Sequence, residues 1–208
     1  ADVDEFAAIF VGEGTYPALI AAAEAAAGGP VDAVSLNWRL MGSGGATSFE
    51  DRPVTARFRR GGPVPASDED RDRAVKTLFR PGRFNSPGVH RPRLRKANPK
   101  TPPEQIVWVN GSGRPMPEEY PTQSLPTPRE GFMGWEFGLI QHYAVKSLGE
   151  YRRKQSRGSA TLSDRRFGDA YWLDNDRNEL EIDTLPLPGL EQAEAALLAD
   201  PEIARLHA

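Results

Sequence analysis

The sequence predicts a loop-rich α/β or α+β domain rather than a helical bundle. Three observations carry this. The chain holds 19 prolines and 20 glycines in 208 residues, punctuation that cuts it into short elements. Several short runs are apolar or alternate apolar with polar, as strands do. Between them lie helical stretches with recognisable caps. A chain of this length buries a core of its own, and one domain is expected.

The elements follow in order. "FAAIFV" (Phe6–Val11) reads as a short strand. Thr15 is placed to cap a helix, with Pro17 in its first turn, an alanine-rich body and Gly28 at its end. "VDAVSLNWRL" (Val31–Leu40) alternates like a strand and runs into the glycine-rich loop "MGSGGATSFED". "VTARF" (Val54–Phe58) is a further strand candidate, followed by a polar loop over 59–73. "AVKTLFR", "GVHRPR" and "QIVWVN" suggest three more short strands. Residues 110–134 form a long Pro/Gly-rich segment, of the kind that serves as a lid or a binding loop or stays disordered; a lid over the acceptor side is expected. "FGLIQHYAVKS" is strand-like and leads through His142 to a capping box, Ser147 with Glu150, that opens a helix ending at Gly158. The tail from 186 is helical and amphipathic, broken at Pro201.

Composition excludes several classes. Lys and Arg total 26 against 29 Asp and Glu, a net charge of −3, which gives no electrostatic basis for a nucleic-acid partner. No apolar run approaches the length of a membrane span, and no signal peptide is visible. The absence of cysteine rules out disulfides and thiolate metal sites and fits a reducing compartment. The expected location is the cytoplasm, at most peripheral to an inner membrane.

The chain opens with three carboxylates, Asp2, Asp4 and Glu5, ahead of an apolar run. Side chains two apart in extended backbone point the same way. Two carboxylates so placed repel unless a cation lies between them. Oxygen ligands joined by one imidazole suit Mg²⁺ or Mn²⁺. The histidines are His90, His142 and His207.

The stretches "DVDEF", "VSLNWRLMGSGG", "KTLFRP", "GVHRPR", "NGSGRP", "HYAVKSLGEYRRKQSRG" and "DNDRNELEID" occur in that order. Together they resemble the later part of a bacterial family-2-like glycosyltransferase, of the branch with a "DVDEF" signature related to family 92. The resemblance covers residues 1–185 and implies a partial GT-A fold. That fold is a mixed sheet with flanking helices, here without its first, nucleotide-binding strands, so that the chain is expected to be a fragment inactive alone. It implies a divalent metal, Mn²⁺ or Mg²⁺, on the diphosphate of a nucleotide-sugar donor, a UDP-sugar foremost. By that matching Asp2, Asp4 and His142 are the metal ligands, and a saccharide hydroxyl is the acceptor.

The remaining roles follow from the chemistry of such a transfer. Lys146, Arg152 and Arg153 are candidates for the donor phosphates. Glu50 or Asp51 is a candidate general base. Trp38 offers a platform for a sugar ring. Gly42, Ser43 and Gly44 offer backbone that a ligand can approach closely. His90, Arg91 and Arg93 are candidates for binding acceptor or phosphate. Asp174–Glu179 reads as a helix-end salt-bridge cluster. Two other classes are compatible: a non-catalytic carbohydrate-binding or interaction domain, and a metal-dependent phosphohydrolase. An exposed sheet edge or apolar face is expected near residues 6–11 and 31–37, where absent strands would pack.

Overall fold

Strand β2 (Ala33–Leu40) organises the molecule. Its even-numbered residues, Val34 and Leu36 among them, face one side of a mixed sheet, and Ala33, Ser35, Asn37 and Arg39 face the other. The computed structural model describes residues 1–64, 74–94, 105–122, 131–158, 167–183 and 190–207. One edge of β2 pairs antiparallel with β4 (Val75–Phe79), Leu36 opposite Lys76. The other edge is shared. Its first half pairs parallel with β5 (Trp108–Asn110), its second half parallel with β6 (Gly138–His142). β1 (Glu5–Ile9) completes the order by pairing antiparallel with β6, Glu5 opposite His142. A two-stranded sheet joins β3 (Arg60–Gly61) to β7 (Leu180–Glu181). The architecture is α/β with a mixed sheet and flanking helices.

Helix α1 (Tyr16–Ala27) starts and stops where its caps dictate: the Thr15 hydroxyl accepts from the Ala18 amide, and Gly28 turns left-handed at φ 72°. Leu19 and Ala23 are its buried positions, packed with Val34, Leu36, Val109 and Ile140 on one face of the sheet. The opposite face carries a second core of Ala33, Phe84, Trp108, Met116 and Tyr120. A third, with Met41, Phe58, Tyr143 and Ile182, closes the end where β6 leaves the sheet. Helix α3 (Leu148–Arg157) is opened by the expected capping box of Ser147 and Glu150. A short helix α4 (Asp169–Asn175) lies beside it, with Trp172 edge-on to Tyr151. Two helices, α5 (Leu190–Leu198) and α6 (Pro201–His207), pack on each other at the end of the chain. No helix among the described residues is long and apolar enough to cross a membrane.

Several expectations are corrected. Val54–Arg57 is a short helix, α2, not a strand. The β-branched pair Val54–Thr55 suggested extension, but the Phe58 amide closes a helical turn on the Val54 carbonyl. "GVHRPR" forms no strand; it makes one isolated bridge, Ser86 to Arg93. The described part of 110–134 is not a lid over a site. Asn110 ends β5, Met116 and Tyr120 are buried in the second core, and Tyr120–Thr122 forms a turn of 3₁₀ helix. Residues 123–130 of that segment lie outside the described residues. Of the two segments expected to be exposed, 31–37 is covered: Val31, Ala33, Val34 and Leu36 are all buried. β1 is an edge strand, and Phe10 just beyond it is 44% exposed.

Candidate functional site

The register of the sheet assembles the site. Glu5 and His142 stand opposite each other across β1 and β6, and Leu40 stands opposite His142 on β2. These residues share the face on which α1 packs, at the C-terminal ends of the parallel strands β2 and β6. Ligands of open α/β sheets gather at such ends. Asp4 immediately precedes β1, and the Tyr143 amide donates to its carbonyl. Its carboxylate Oδ1 lies 4.0 Å from His142 Nε2. Two residues far apart in sequence are therefore neighbours.

Asp2 does not join them directly. Its carboxylate accepts from the Lys76 ammonium at 2.9 Å. The same ammonium reaches Glu5 Oε2 at 3.2 Å and donates to the Val89 carbonyl at 2.8 Å. Lys76 is buried, and the Glu5 side chain is fully so. The hydrogen bond from Lys76 is the largest influence on Asp2 and holds its carboxyl below the ordinary range. Lys76 was missed by sequence reasoning. Its signal was parity: a lysine in "AVKTLF" in step with inward-facing Leu78.

His142 is buried, and that burial lowers its pKa to about 4 against the opposing pull of Asp4. At neutral pH it is an uncharged imidazole, the form that ligates metals. Among the described residues its Nδ1 has no hydrogen-bond partner, nor do Glu5 Oε1 and the Trp38 indole nitrogen, all three atoms buried. Buried polar atoms are nearly always paired, and orphans clustered in one place need an explanation. The Trp38 ring lies 4.0 Å from the His142 ring and 5.5 Å from that of His90. The half-buried His90 is tied by Nδ1 to the Val75 carbonyl, and burial lowers its pKa as well.

The donor set fits a divalent cation in part. One carboxylate oxygen and one imidazole nitrogen face each other at a separation a shared ion could span. Asp2 stands close by but is engaged by Lys76. Among the described residues no group of three His, Asp or Glu side chains is gathered as a ready metal cage.

Other predicted site residues are engaged by the chain itself or exposed. Gly42, Ser43 and Gly44 are approached closely, but by the chain's own residues 176–178. The Ser43 amide donates to Asp176 Oδ1 at 2.5 Å, and the Gly44 amide to Asn178 Oδ1 at 2.7 Å. A side chain at Gly42 would collide with the Arg177 carbonyl. The 174–179 segment is thus a clasp for this loop as well as a salt bridge, Arg177 to Glu179 at 2.6 Å. Arg91 is buried against the second core, its guanidinium 4.3 Å from the Tyr120 ring, while Arg93 is exposed. Glu50 lies in an exposed loop paired with Arg52 at 3.1 Å, and Asp51 beside it is exposed too.

Lys146 is the one non-glycine residue with positive φ, 61°, among those described. Arg152 and Arg153 are exposed on α3. The N-terminus of α3 has no amide left for a phosphate. Leu148 and Gly149 donate to the Ala46 and Thr47 carbonyls, and Glu150 to the Ser147 hydroxyl. The side chain of His207 lies outside what is described. Comparison with protein-family models, curated proteins and solved structures finds no match for this chain.

Proposed function

We propose that the Asp4–His142 cluster is the donor-diphosphate end of a metal-dependent glycosyltransferase site on a GT-A-type scaffold. The donor would be a nucleotide sugar, a UDP-sugar foremost, and the acceptor a saccharide hydroxyl. The observation that carries this is the 4.0 Å approach of Asp4 and His142 at the C-terminal ends of two parallel strands. Asp4 and His142 would hold a Mn²⁺ or Mg²⁺ ion, with Asp2 as the third group on release from Lys76. When bound, such an ion neutralises charge on a departing diphosphate.

The chain's own residues shape the rest. Lys76 fixes Asp2 and Glu5 in place. Trp38 covers one face of His142 and keeps water from it. Lys146, half-exposed and in a left-handed backbone just after β6, is the basic side chain nearest in sequence to the cluster. Arg152 and Arg153 remain candidates for the outer phosphate, and Glu50 or Asp51 for taking the acceptor proton.

A second reading draws on the Lys76 ammonium itself, which already pairs with Asp2. With that cation built in, the cluster would serve a metal-free carbohydrate-binding domain. Mn²⁺ titration of the protein, followed by the electron paramagnetic resonance of free Mn²⁺, separates the two. The transferase reading expects saturable uptake that Asp4→Asn and His142→Gln both abolish with the fold retained. No uptake by the unaltered chain, or uptake indifferent to Asp4→Asn, overturns it and leaves the metal-free reading.

A further inference from the structure

A cleft lies on the sheet face opposite the Asp4–His142 cluster, lined by Phe10, Arg39, Val64, Arg114, Trp135, Glu136 and Leu139, with a volume of about 490 Å³. That size is in the range of small-molecule sites. Phe10, Val64, Trp135 and Leu139 make its walls mostly apolar.

Arg39 is the anomaly. It leaves β2 on this face, beside Gln141 of β6. It is half-buried, and among the described residues no hydrogen bond or ion pair engages its guanidinium, while its Nε is buried without an acceptor. Burial alone pulls its pKa down, with no carboxylate to offset it. The Trp135 indole nitrogen, also in the cleft wall, has no acceptor among the described residues either. An arginine held against apolar walls with no partner is costly to keep. The other basic group is already engaged: Arg114 donates to the Met133 carbonyl and lies 3.5 Å from Glu136. The cleft thus presents one uncompensated positive charge and unused donors beside an indole.

We infer that this cleft binds a ring-bearing monocarboxylate, the carboxylate on the Arg39 guanidinium and the ring against Trp135 and Phe10. The planar fork of arginine matches a carboxylate in two parallel hydrogen bonds. One net charge suits a monoanion better than a dianionic phosphate. Such a ligand has two sources, an aromatic acid or an acidic sugar, which share this chemistry. The site stands on the opposite sheet face from the Asp4–His142 cluster and does not depend on the transferase reading.

The test is calorimetric titration of the unaltered protein with benzoate and, separately, with glucuronate, with benzyl alcohol, glucose and inorganic phosphate as controls. The Trp135 indole resonance reports occupancy by NMR. Binding of at least one acid, in preference to its neutral counterpart and to phosphate, is expected, and which acid binds identifies the source. Arg39→Met weakens that binding by about tenfold or more. Arg39→Lys, which keeps the charge but not the fork, weakens it measurably as well. Should Arg39→Met fail to fold, Arg39→Lys alone decides. Binding of neither acid, equal binding of the neutral controls, or full affinity in a folded Arg39 variant overturns the inference.

Discussion

Two stretches of this chain look equally like ligand sites in the sequence, the carboxylates at residues 2–5 and the glycine-rich loop at 42–45, and the fold treats them oppositely. The loop is closed by its own protein. Asp176 and Asn178 accept the amides of Ser43 and Gly44, and Ser43 Oγ accepts from the Gly45 amide. The carboxylate cluster is only half closed. Lys76 takes Asp2 and Glu5, but among the described residues Glu5 Oε1, His142 Nδ1 and the Trp38 indole nitrogen are left without partners. The difference shows where to look for function. Close approach of backbone says that something packs there, whereas several orphaned buried polar atoms in one place say that something is missing.

Lys76 gives the sharpest test of that contrast, because it is the one member of the cluster that acts structurally. Lys76→Met leaves the fully buried Glu5 without its cation, with only the Asp2 amide donating to it, and should destabilise the fold by about 3–5 kcal/mol. Adding Glu5→Gln should recover a good part of that loss, and denaturant unfolding of the two single variants and the double variant measures it. If the single substitution is nearly neutral, the cluster is no more closed by Lys76 than by solvent. Mn²⁺ should stabilise Lys76→Met more than the unaltered protein, since the vacated carboxylates gain a cation.

On the loop side, Gly42→Ala drives a methyl into the Arg177 carbonyl, and backbone cannot move aside as a flexible side chain can. A loss of about 1–3 kcal/mol is expected. Thermal unfolding should show it, with no change in Mn²⁺ uptake. A parallel loss of metal uptake would mean that the two regions are coupled and the contrast is false.

The smallest effect concerns pH. His142 in the folded protein takes a proton only near pH 4, chiefly because it is buried, whereas an unfolded histidine does so near 6.5. The unfolded chain therefore binds more protons between those values. The contribution of neutral His142 to stability is fully present above pH 6.5 and is lost as pH falls toward 4. Between pH 7 and pH 5.5 this amounts to about 1 kcal/mol. His142→Gln should flatten that part of the stability profile. The loop, with no histidine, should add nothing to it.

Elements specified by local chemistry were legible in the sequence. Thr15 and Gly28 bound α1, and the Ser147–Glu150 capping box opens α3, because each device acts within a few residues. The meeting of Asp4 with His142 was expected from the family resemblance and the donor chemistry, not from spacing. What was not legible depends on pairing. Lys76 reaches Glu5 only because β4 lies against β2 and β1 against β6, and no local signal announces that order. Arg39 needed both its parity on β2 and the knowledge that nothing answers it. At 54–58 the intrinsic strand preference of Val54 and Thr55 misled, since a single turn can override it.

The pairing of β1 with β6 has a consequence for how the molecule comes into being. Residues 5–9 wait for residues 138–142. Closing a loop that long is entropically slow, and strands joined over such separations form late. During synthesis Glu5 emerges long before the histidine it faces, so until then β1 is an unpaired strand and there is no site. Hydrogen exchange during refolding should therefore find β1 and β6 gaining protection together, after α1. The chemistry of the cluster is then itself a report that the whole sheet has closed.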